Sequence, residues 1–213
     1  MDSIDLHKGA KIRKTIHLIR HGQTEYNRMN IVQGSGIDSD LNDTGRQQAL
    51  DFYQAYKDIP YNHIYTSKLK RAIQSVENFV NTGIPHTALE EFNEINWGVM
   101  EGRRADESNT ALYEQMIRNW SNGLLDTAVE GGETPAMMYE RQKLGLEHIM
   151  SHSEEEIVLI CMHGRALRSF LCLLTGTPLK DMEKWEHHNL CLYELVHNGQ
   201  HFDVTRINDI THL

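Results

Sequence analysis

The chain has 213 residues, a formal net charge of −9 at pH 7 and a sequence pI of about 5.8. This length is sufficient for one sizeable hydrophobic core, so we expect a single domain over residues 1–213. The negative charge would repel nucleic acids and anionic membranes, so neither is an expected partner. The first residues lack the apolar core of a signal peptide and no later segment has the apolar length of a membrane span, which predicts a cytoplasmic protein.

The first half of the chain alternates between strand patterns and helix patterns. Ile16, Leu18 and Ile19 belong to an apolar, β-prone run that predicts a buried strand ending at Arg20. A turn-rich segment and a helical pattern follow, and this order of strand, loop and helix then repeats. The later elements predicted in this half are a helix over 46–59, a strand over 61–67, and a helix over 68–83 with Ser67 as its N-cap.

The second half begins with a less regular region. Residues from about 88 to 135 predict an insertion or lid that shapes the substrate pocket, with one helical segment over 111–120. The elements predicted after it are a helix over 136–152, a strand over 156–164, a helix over 165–176, and strands over 190–197 and 201–209. Strands that alternate with helices predict an α/β fold, a three-layer sandwich whose mainly parallel sheet has helices on both faces.

Polar and basic residues stand where three of the predicted strands end. The three strand ends carry Arg20-His21-Gly22, Thr66-Ser67 and His163-Gly164-Arg165. In open α/β sheets, ligands bind outside the carboxyl ends of the strands, so we expect these residues to converge at one edge. Residues that follow rigid strands are also well placed to carry chemistry.

Basic residues also begin the two helices that follow these strands. Lys68, Lys70 and Arg71 begin one helix, and Arg165 and Arg168 lie in the first turns of another. The N-terminus of a helix carries partial positive charge, so cations there are unfavourable unless an anion binds. Free backbone N–H groups and guanidinium groups together bind phosphate well, which indicates a phosphorylated substrate.

Histidines at a phosphate site favour a covalent reaction. A neutral imidazole can attack phosphorus directly, and nearby arginines would lower its pKa and neutralise the phosphoryl charge. Either His21 or His163 could be this nucleophile. A general acid must then protonate the leaving oxygen, and the residues alone leave four candidates, which are Glu90, Glu91, Glu94 and Glu101.

Several sequence blocks, taken together, resemble the histidine phosphatase superfamily. The blocks are LIRHGQTEYN, VQG, DLNDTGRQQA, YTSKLKRAIQS, FNEINWGVMEG, GGET and CMHGRALR, and they extend from about residue 16 to residue 170. The resemblance implies that His21 is the nucleophile that becomes phosphohistidine and that Glu94 is the proton donor. It further implies that the phosphoryl pocket contains Arg20, Arg71 and His163, and that Thr24, Asn27, Gln33, Gly34 and Gly164 line the substrate side.

The resemblance leaves two enzyme activities and one non-enzymatic hypothesis. Phosphoglycerate mutases of this family carry an arginine-rich segment after the NEINWG block and a tyrosine where this chain has Trp97, so phosphatase activity on small phosphate monoesters is favoured. A mutase dependent on 2,3-bisphosphoglycerate is the enzyme alternative, with Arg103 and Arg104 as candidates for a second anionic group. The third hypothesis is an inactive protein that binds phosphorylated ligands.

Metal and cofactor sites are not expected. His148 and His152 lie four residues apart, but their surroundings are typical of a solvated helix end, and His187 and His188 are interpreted as polar surface. The cysteines have no metal-binding spacing and lie in apolar segments, which predicts reduced core thiols at Cys161, Cys172 and Cys191. We therefore expect catalysis without a metal or an organic cofactor.

Overall fold

The structure is a computed structural model that describes residues 14–104 and 107–213. Residues 1–13, which lack the apolar core of a signal peptide, and residues 105–106 of the predicted insertion lie outside the described residues. The strands are β1 (Thr15–Arg20), β2 (His63–Ser67), β3 (His86–Leu89), β4 (Ile157–Met162), β5 (Leu192–His197) and β6 (Phe202–Asp209). The helices are α1 (Glu25–Arg28), α2 (Asp43–Tyr56), α3 (Lys70–Val80), α4 (Glu107–Ser121), α5 (Pro135–Ser151) and α6 (Gly164–Thr175), with 3-10 turns at Glu90–Phe92, Gly98–Met100 and Leu179–Lys184.

One mixed sheet organises the fold. Its strand order is β3-β2-β4-β1-β5-β6, in which β1, β4, β2 and β3 pair in parallel and β5 and β6 pair antiparallel. The pairing of β1 with β4 sets Arg20 opposite Met162, and the backbone N–H of His21 donates to the Met162 carbonyl oxygen at 3.0 Å. This register brings the residues that follow the two strands, His21 and His163, side by side.

Apolar residues cover both faces of the sheet, which confirms the predicted α/β fold with helices on both sides. One face of β1 packs with α5 and α6 in a cluster that contains Leu18, Ile149 and Phe170. The opposite face packs with α2 and α3 in a second cluster that contains Phe52 and Val76. Side chains alternate between the two faces of a strand, so continuous apolar strands such as β4 fill both clusters.

Three details of the predicted elements differ from the structure. Ser67 is not the N-cap of α3, because the helix begins at Lys70 after Leu69, and Ser67 Oγ instead lies 2.7 Å from Nε2 of His163. The predicted elements also omitted β3, a four-residue edge strand that pairs with β2. All four of its residues are half-buried, and the strand has no continuous apolar run. The helix over 46–59 begins earlier than predicted, because Asn42 caps it by accepting a hydrogen bond from the Gly45 N–H.

The region from 88 to 135 packs onto the main core. Trp97 and Trp120 are buried in the cluster on the α5 and α6 face, and their rings lie 5.5 Å apart. The loop around Trp97 and the loop before α5 are joined by backbone hydrogen bonds, including Glu133 N–H to the Asn96 carbonyl oxygen at 2.8 Å. A single domain with this insertion stays a prediction.

The cysteines agree with the sequence expectation. All three cysteines are free and buried, as predicted, and burial raises the pKa of Cys172 to about 12. Throughout 14–104 and 107–213, every helix is too short or too polar to cross a bilayer.

A substitution at Gly145 of α5 tests how closely this helix packs on Phe92, which precedes Glu94 in the same loop. A Cβ built at Gly145 would lie 2.6 Å from the ring of Phe92, which is fully buried. Alanine in a helix normally gains about 1 kcal/mol over glycine, but overpacking a rigid core costs about 1–3 kcal/mol. We expect Gly145→Ala to lower the free energy of unfolding measured in urea. Unchanged or increased stability would contradict this packing.

Candidate active site

His21 directly follows β1 and is almost completely buried, with 3% of its surface exposed. Its Nδ1 lies 2.7 Å from the Gly22 carbonyl oxygen. A carbonyl only accepts hydrogen bonds, so Nδ1 carries the proton and Nε2 keeps its lone pair. Burial, followed by the charges of Arg71 and Arg20, holds the pKa of His21 well below its ordinary value. The imidazole is therefore neutral at neutral pH.

His163 directly follows β4 and lies against His21, with ring centroids 5.1 Å apart. Its Nδ1 accepts a hydrogen bond from Arg71 Nε at 3.1 Å, so the proton lies on Nε2, which donates to Ser67 Oγ. Burial and the charge of Arg71 hold the pKa of His163 well below its ordinary value. The two histidines are thus neutral and have opposite tautomers, and only Nε2 of His21 combines a lone pair with no hydrogen-bond donor among the described residues.

Arg71 lies inside the protein and faces both histidines. Besides its bond to His163, it donates to the carbonyl oxygens of Ile37 at 2.6 Å and Gly34 at 3.1 Å. Burial lowers the pKa of Arg71 to about 10, so the guanidinium stays charged at neutral pH. Each of its three nitrogens thus donates to an acceptor of the protein, which holds the guanidinium in place.

Arg20 occupies the last position of β1. Its Nη1 lies 3.3 Å from Nδ1 of His187, and its Nε has no hydrogen-bond partner among the described residues. Burial lowers the pKa of Arg20, while the charge of Glu94 partly opposes this shift. A charged group with most of its donors free next to a neutral imidazole is a suitable place for an anion.

The Glu94 carboxylate lies at the N-terminus of α6. Its Oε1 accepts from the backbone N–H of Ala166 at 2.9 Å, and its Oε2 accepts from that of Arg165 at 3.1 Å. Glu94 is buried, and its charge acts on both Arg20 and Arg71. It therefore belongs to the same cluster as His21 and His163.

The other three acidic candidates lie elsewhere. Glu90 is exposed and pairs with Lys68. Glu101 accepts from the backbone N–H groups of Trp97 and Gly36, which gives it a role in holding loops together. The Glu91 backbone carbonyl accepts a hydrogen bond from Arg141, and its carboxylate has no recorded contact with the histidines. Among the four, Glu94 is the one that geometry brings to the reaction centre.

The expected phosphate cradle at two helix N-termini does not form. The first N–H groups of α6 bind Glu94, and the N–H of Lys70 at the start of α3 donates to Asp38 at 2.7 Å. The chain's own carboxylates thus neutralise both helix ends. Arg165 and Arg168 also turn away, because both pair with Glu183, so the available cations in the centre are Arg20 and Arg71.

Four of the five residues predicted to line the substrate side, Thr24, Asn27, Gln33 and Gly34, are linked by hydrogen bonds that lead to Arg71. Thr24 caps α1 through a reciprocal pair of bonds with Asn27. The network favours the orientation of the Gln33 amide in which its nitrogen donates to Thr24 Oγ1 at 2.9 Å and its oxygen accepts from Arg71 Nε at 2.6 Å. Gly34 accepts from Arg71 through its carbonyl, and Gly164 begins α6 beside Glu94. All five predicted positions therefore adjoin the histidine cluster.

Sequence reasoning missed several residues of the site. His187 was interpreted as polar surface, but it is half-buried and contacts Arg20, whereas His188 is exposed as expected. Asn189 donates to the His21 carbonyl oxygen at 2.8 Å. Ser67 could have been found, because it ends a strand at the same sheet edge. His187 and Asn189 lie in a loop with no periodic signal.

An ion pair between α5 and the loop before it holds the backbone at Glu94. Arg141 of α5 forms a two-point contact with Glu133, at 2.7 and 2.9 Å, and also donates to the Glu94 carbonyl oxygen at 3.2 Å. Glu133 belongs to the GGET block, and Thr134 of the same block caps α5. The block thus fixes the backbone that carries Glu94.

The structure also locates the three residues that the sequence analysis named in connection with mutase activity. Trp97 is buried against Tyr113 and Trp120, so it packs beneath the loop. Arg103 and Arg104 are both exposed. Within the described ranges, no group of three or more histidine, cysteine or acidic side chains is arranged to hold a metal ion.

The similarity to known proteins covers the part of the chain that contains the sequence blocks from residue 16 to residue 170. The sequence model of a family described as Histidine phosphatase superfamily (branch 1) matches residues 16–210. Fructose-2,6-bisphosphatase TIGAR B of Danio rerio is 33% identical over 157 residues, which cover 71% of this chain but only 57% of that relative. A protein of Erwinia tasmaniensis assigned as the phosphoglycerate mutase GpmB is 28% identical, with 93% of this chain and 94% of the relative covered.

Further similarity extends over nearly the whole chain. A protein of Hydrogenobacter thermophilus assigned as phosphoserine phosphatase 2 is 27% identical, with coverage of 93% of this chain and 97% of the relative. Among solved structures, YhfR of Bacillus stearothermophilus superposes with a TM-score of 0.80 and 27% identity, over 93% of this chain and 98% of that one. The fold predicted from the sequence is therefore also the fold of YhfR.

The two neutral histidines predict how stability depends on pH. A folded-state pKa below the unfolded value of about 6.5 means that the unfolded chain binds protons first as the pH falls. Each histidine should therefore lower the free energy of unfolding below pH 6.5 by up to about 1.4 kcal/mol per pH unit. Urea denaturation at pH 7, 6 and 5 measures this slope. His21→Asn should reduce it, and an unchanged slope would contradict a neutral His21.

Proposed function

The chain belongs to branch 1 of the histidine phosphatase superfamily, and we propose that it hydrolyses small phosphate monoesters through a phosphohistidine at His21, without a metal. The observation that carries this proposal is the Nδ1 hydrogen bond of His21 to Gly22, which leaves Nε2 as a neutral nucleophile beside two guanidinium groups. Phosphatase activity is also the activity named for several relatives of the chain.

In the first step, Nε2 of His21 attacks phosphorus and the bond from phosphorus to the ester oxygen breaks. Arg20 and Arg71 stabilise the negative charge on the phosphoryl oxygens, a contribution that is large in a site shielded from water. His163 donates its Nε2–H to Ser67 Oγ, and its Nδ1 accepts from Arg71, so His163 acts by keeping Arg71 in place. The product of this step is phosphohistidine and a leaving oxygen that needs a proton.

Glu94 is the proposed source of that proton. Its carboxyl group is buried beside Gly164, where a Cβ would lie 3.7 Å from Oε2. Backbone N–H groups hold the carboxylate in one orientation. In the second step Glu94 takes a proton from water, which attacks phosphorus and releases His21.

One observation favours the mutase alternative. The chain matches a relative assigned as phosphoglycerate mutase over 94% of that relative's length. Two features of this chain speak for hydrolysis instead. Arg118, the one arginine in the helix after the NEINWG block, is exposed and paired with Glu114. Trp97, where phosphoglycerate mutases of this family carry a tyrosine, is buried against Trp120. Transfer of phosphate between positions of phosphoglycerate in the presence of 2,3-bisphosphoglycerate would support the mutase.

A small phosphorylated metabolite in the cytoplasm is the proposed substrate. The free, buried cysteines are compatible with a reducing compartment. The names of the relatives suggest fructose 2,6-bisphosphate, phosphoserine and phosphoglycerates as first compounds to test. No nucleic acid or membrane partner is proposed, because the net charge of −9 is unfavourable for both.

Removal of the nucleophile is the first test. His21→Ala should lower phosphate release from p-nitrophenyl phosphate and from the metabolite panel by about 1000-fold or more, because water cannot replace a positioned nucleophile. Phosphate release is measured on chelator-treated protein, and circular dichroism confirms that the variant is folded. Normal turnover by folded His21→Ala would disprove the mechanism. Phosphate binding without turnover by the wild type would favour the inactive, ligand-binding hypothesis.

The proton-donor role of Glu94 predicts a dependence on the leaving group. Glu94→Gln should slow hydrolysis of alkyl phosphates by about 100-fold or more, but slow p-nitrophenyl phosphate much less, because p-nitrophenolate leaves without a proton. Glu90→Gln is the matched control, since Glu90 is exposed and lies in the same segment. Equal losses on both substrates would remove Glu94 from this role.

A further inference from the structure

The loop of residues 185–191, here called the exit loop, lies across the end of β1. The backbone N–H of Leu190 donates to the Arg20 carbonyl oxygen at 3.0 Å, and Asn189 holds the His21 carbonyl oxygen. Two consecutive histidines in this loop have different surroundings. His187 is half-buried and faces Arg20, whereas His188 is exposed and contacts Asn208 at 3.2 Å.

The contact between His187 and Arg20 has a definite direction. A guanidinium only donates, so Nδ1 of His187 accepts from Arg20 Nη1 and the ring proton lies on Nε2. Over the described ranges, His187 is the only hydrogen-bond acceptor for the Arg20 guanidinium, whose Nε is buried without a partner. An arginine held at one nitrogen keeps its other donors for the oxygen atoms of a phosphate group.

His187 must be neutral to accept this hydrogen bond. Burial and then the charge of Arg20, with smaller contributions from Arg168 and Arg165, lower the pKa of His187 to about 2. The imidazole therefore keeps its acceptor at neutral pH. Glu183, the carboxylate nearest to Arg165 and Arg168, is paired with both of them and has no recorded hydrogen bond to His187.

We propose that His187 is a positioning residue that orients the Arg20 guanidinium toward the phosphoryl group transferred to His21. This inference rests on the proposed phosphatase reaction and adds to it a residue outside the sequence blocks of the family resemblance. Misplacement of a group in a preorganised site by about 1 Å can cost about 100-fold in rate. Loss of the acceptor should therefore weaken phosphate binding and slow turnover without unfolding the protein.

A purely structural role for His187 is the competing explanation. Its ring lies over Gly164, where a Cβ would be 3.0 Å from the imidazole, so the side chain also fills space. Two substitutions separate the roles. His187→Leu keeps most of the volume but has no acceptor, whereas His187→Asn keeps an acceptor and loses the ring. Positioning requires that Asn is the better replacement, and packing requires that Leu is.

The experiment compares His187→Leu, His187→Asn and the control His188→Leu. For His187→Leu we expect kcat/KM on p-nitrophenyl phosphate to fall by about 10- to 100-fold, with Asn restoring most of it and the control unchanged. In an Arg20→Ala background, His187→Leu should have little further effect, because residues that act as a unit are not additive. Additive losses, or better function with Leu than with Asn, would overturn the proposal.

Binding of inorganic phosphate, measured by calorimetry, separates this inference from the proposed function. It requires no turnover, so the same order of variants should appear in the phosphate Kd even if hydrolysis is not the reaction. A wild-type protein that binds phosphate without hydrolysing esters, with weaker binding in His187→Leu, would contradict only the proposed function. Equal phosphate affinity in wild type and His187→Leu would contradict the positioning role.

Discussion

The hydrogen bond between His21 Nδ1 and the Gly22 carbonyl oxygen is the interaction on which the rest of the site depends. It fixes the tautomer, and the burial of the ring keeps the imidazole neutral. A buried neutral ring tolerates two guanidinium groups nearby, whereas a protonated one would be repelled by them. The parallel pairing of β1 with β4 then supplies the second histidine without any further requirement, since both residues follow strands in register.

Charge is balanced around this pair by the chain's own carboxylates. Glu94 occupies the N-terminus of α6, and Asp38 occupies that of α3, so neither helix end is left for a ligand. This arrangement leaves the binding of an anion to two arginine side chains. A site built in this way depends on how those side chains are held. Arg71 has several acceptors, whereas His187 is the one acceptor for Arg20 among the described residues.

Much of the fold and part of the site could be predicted from the sequence. Strand-end residues were placed together correctly because apolar runs identify strands and parallel strands share an edge. The choice of Glu94 among four acidic residues required the family resemblance, since a 3-10 turn and irregular loop set its position. The contact of His187 with Arg20 could not be predicted, because the two residues are distant in the sequence and the exit loop has no periodic hydrophobic pattern. Ser67 was misassigned because a serine before a helix suits an N-cap as well as a histidine contact.

Direct identification of the covalent intermediate tests the central claim. The enzyme would be mixed with excess phosphate monoester, quenched within milliseconds under alkaline conditions that preserve phosphohistidine, and analysed by peptide mass spectrometry and phosphorus NMR. The account predicts one phosphoryl group on Nε2 of His21, formed and lost at rates compatible with turnover. Phosphate on Nδ1, on another residue, or turnover with no phosphoenzyme on this timescale would contradict it.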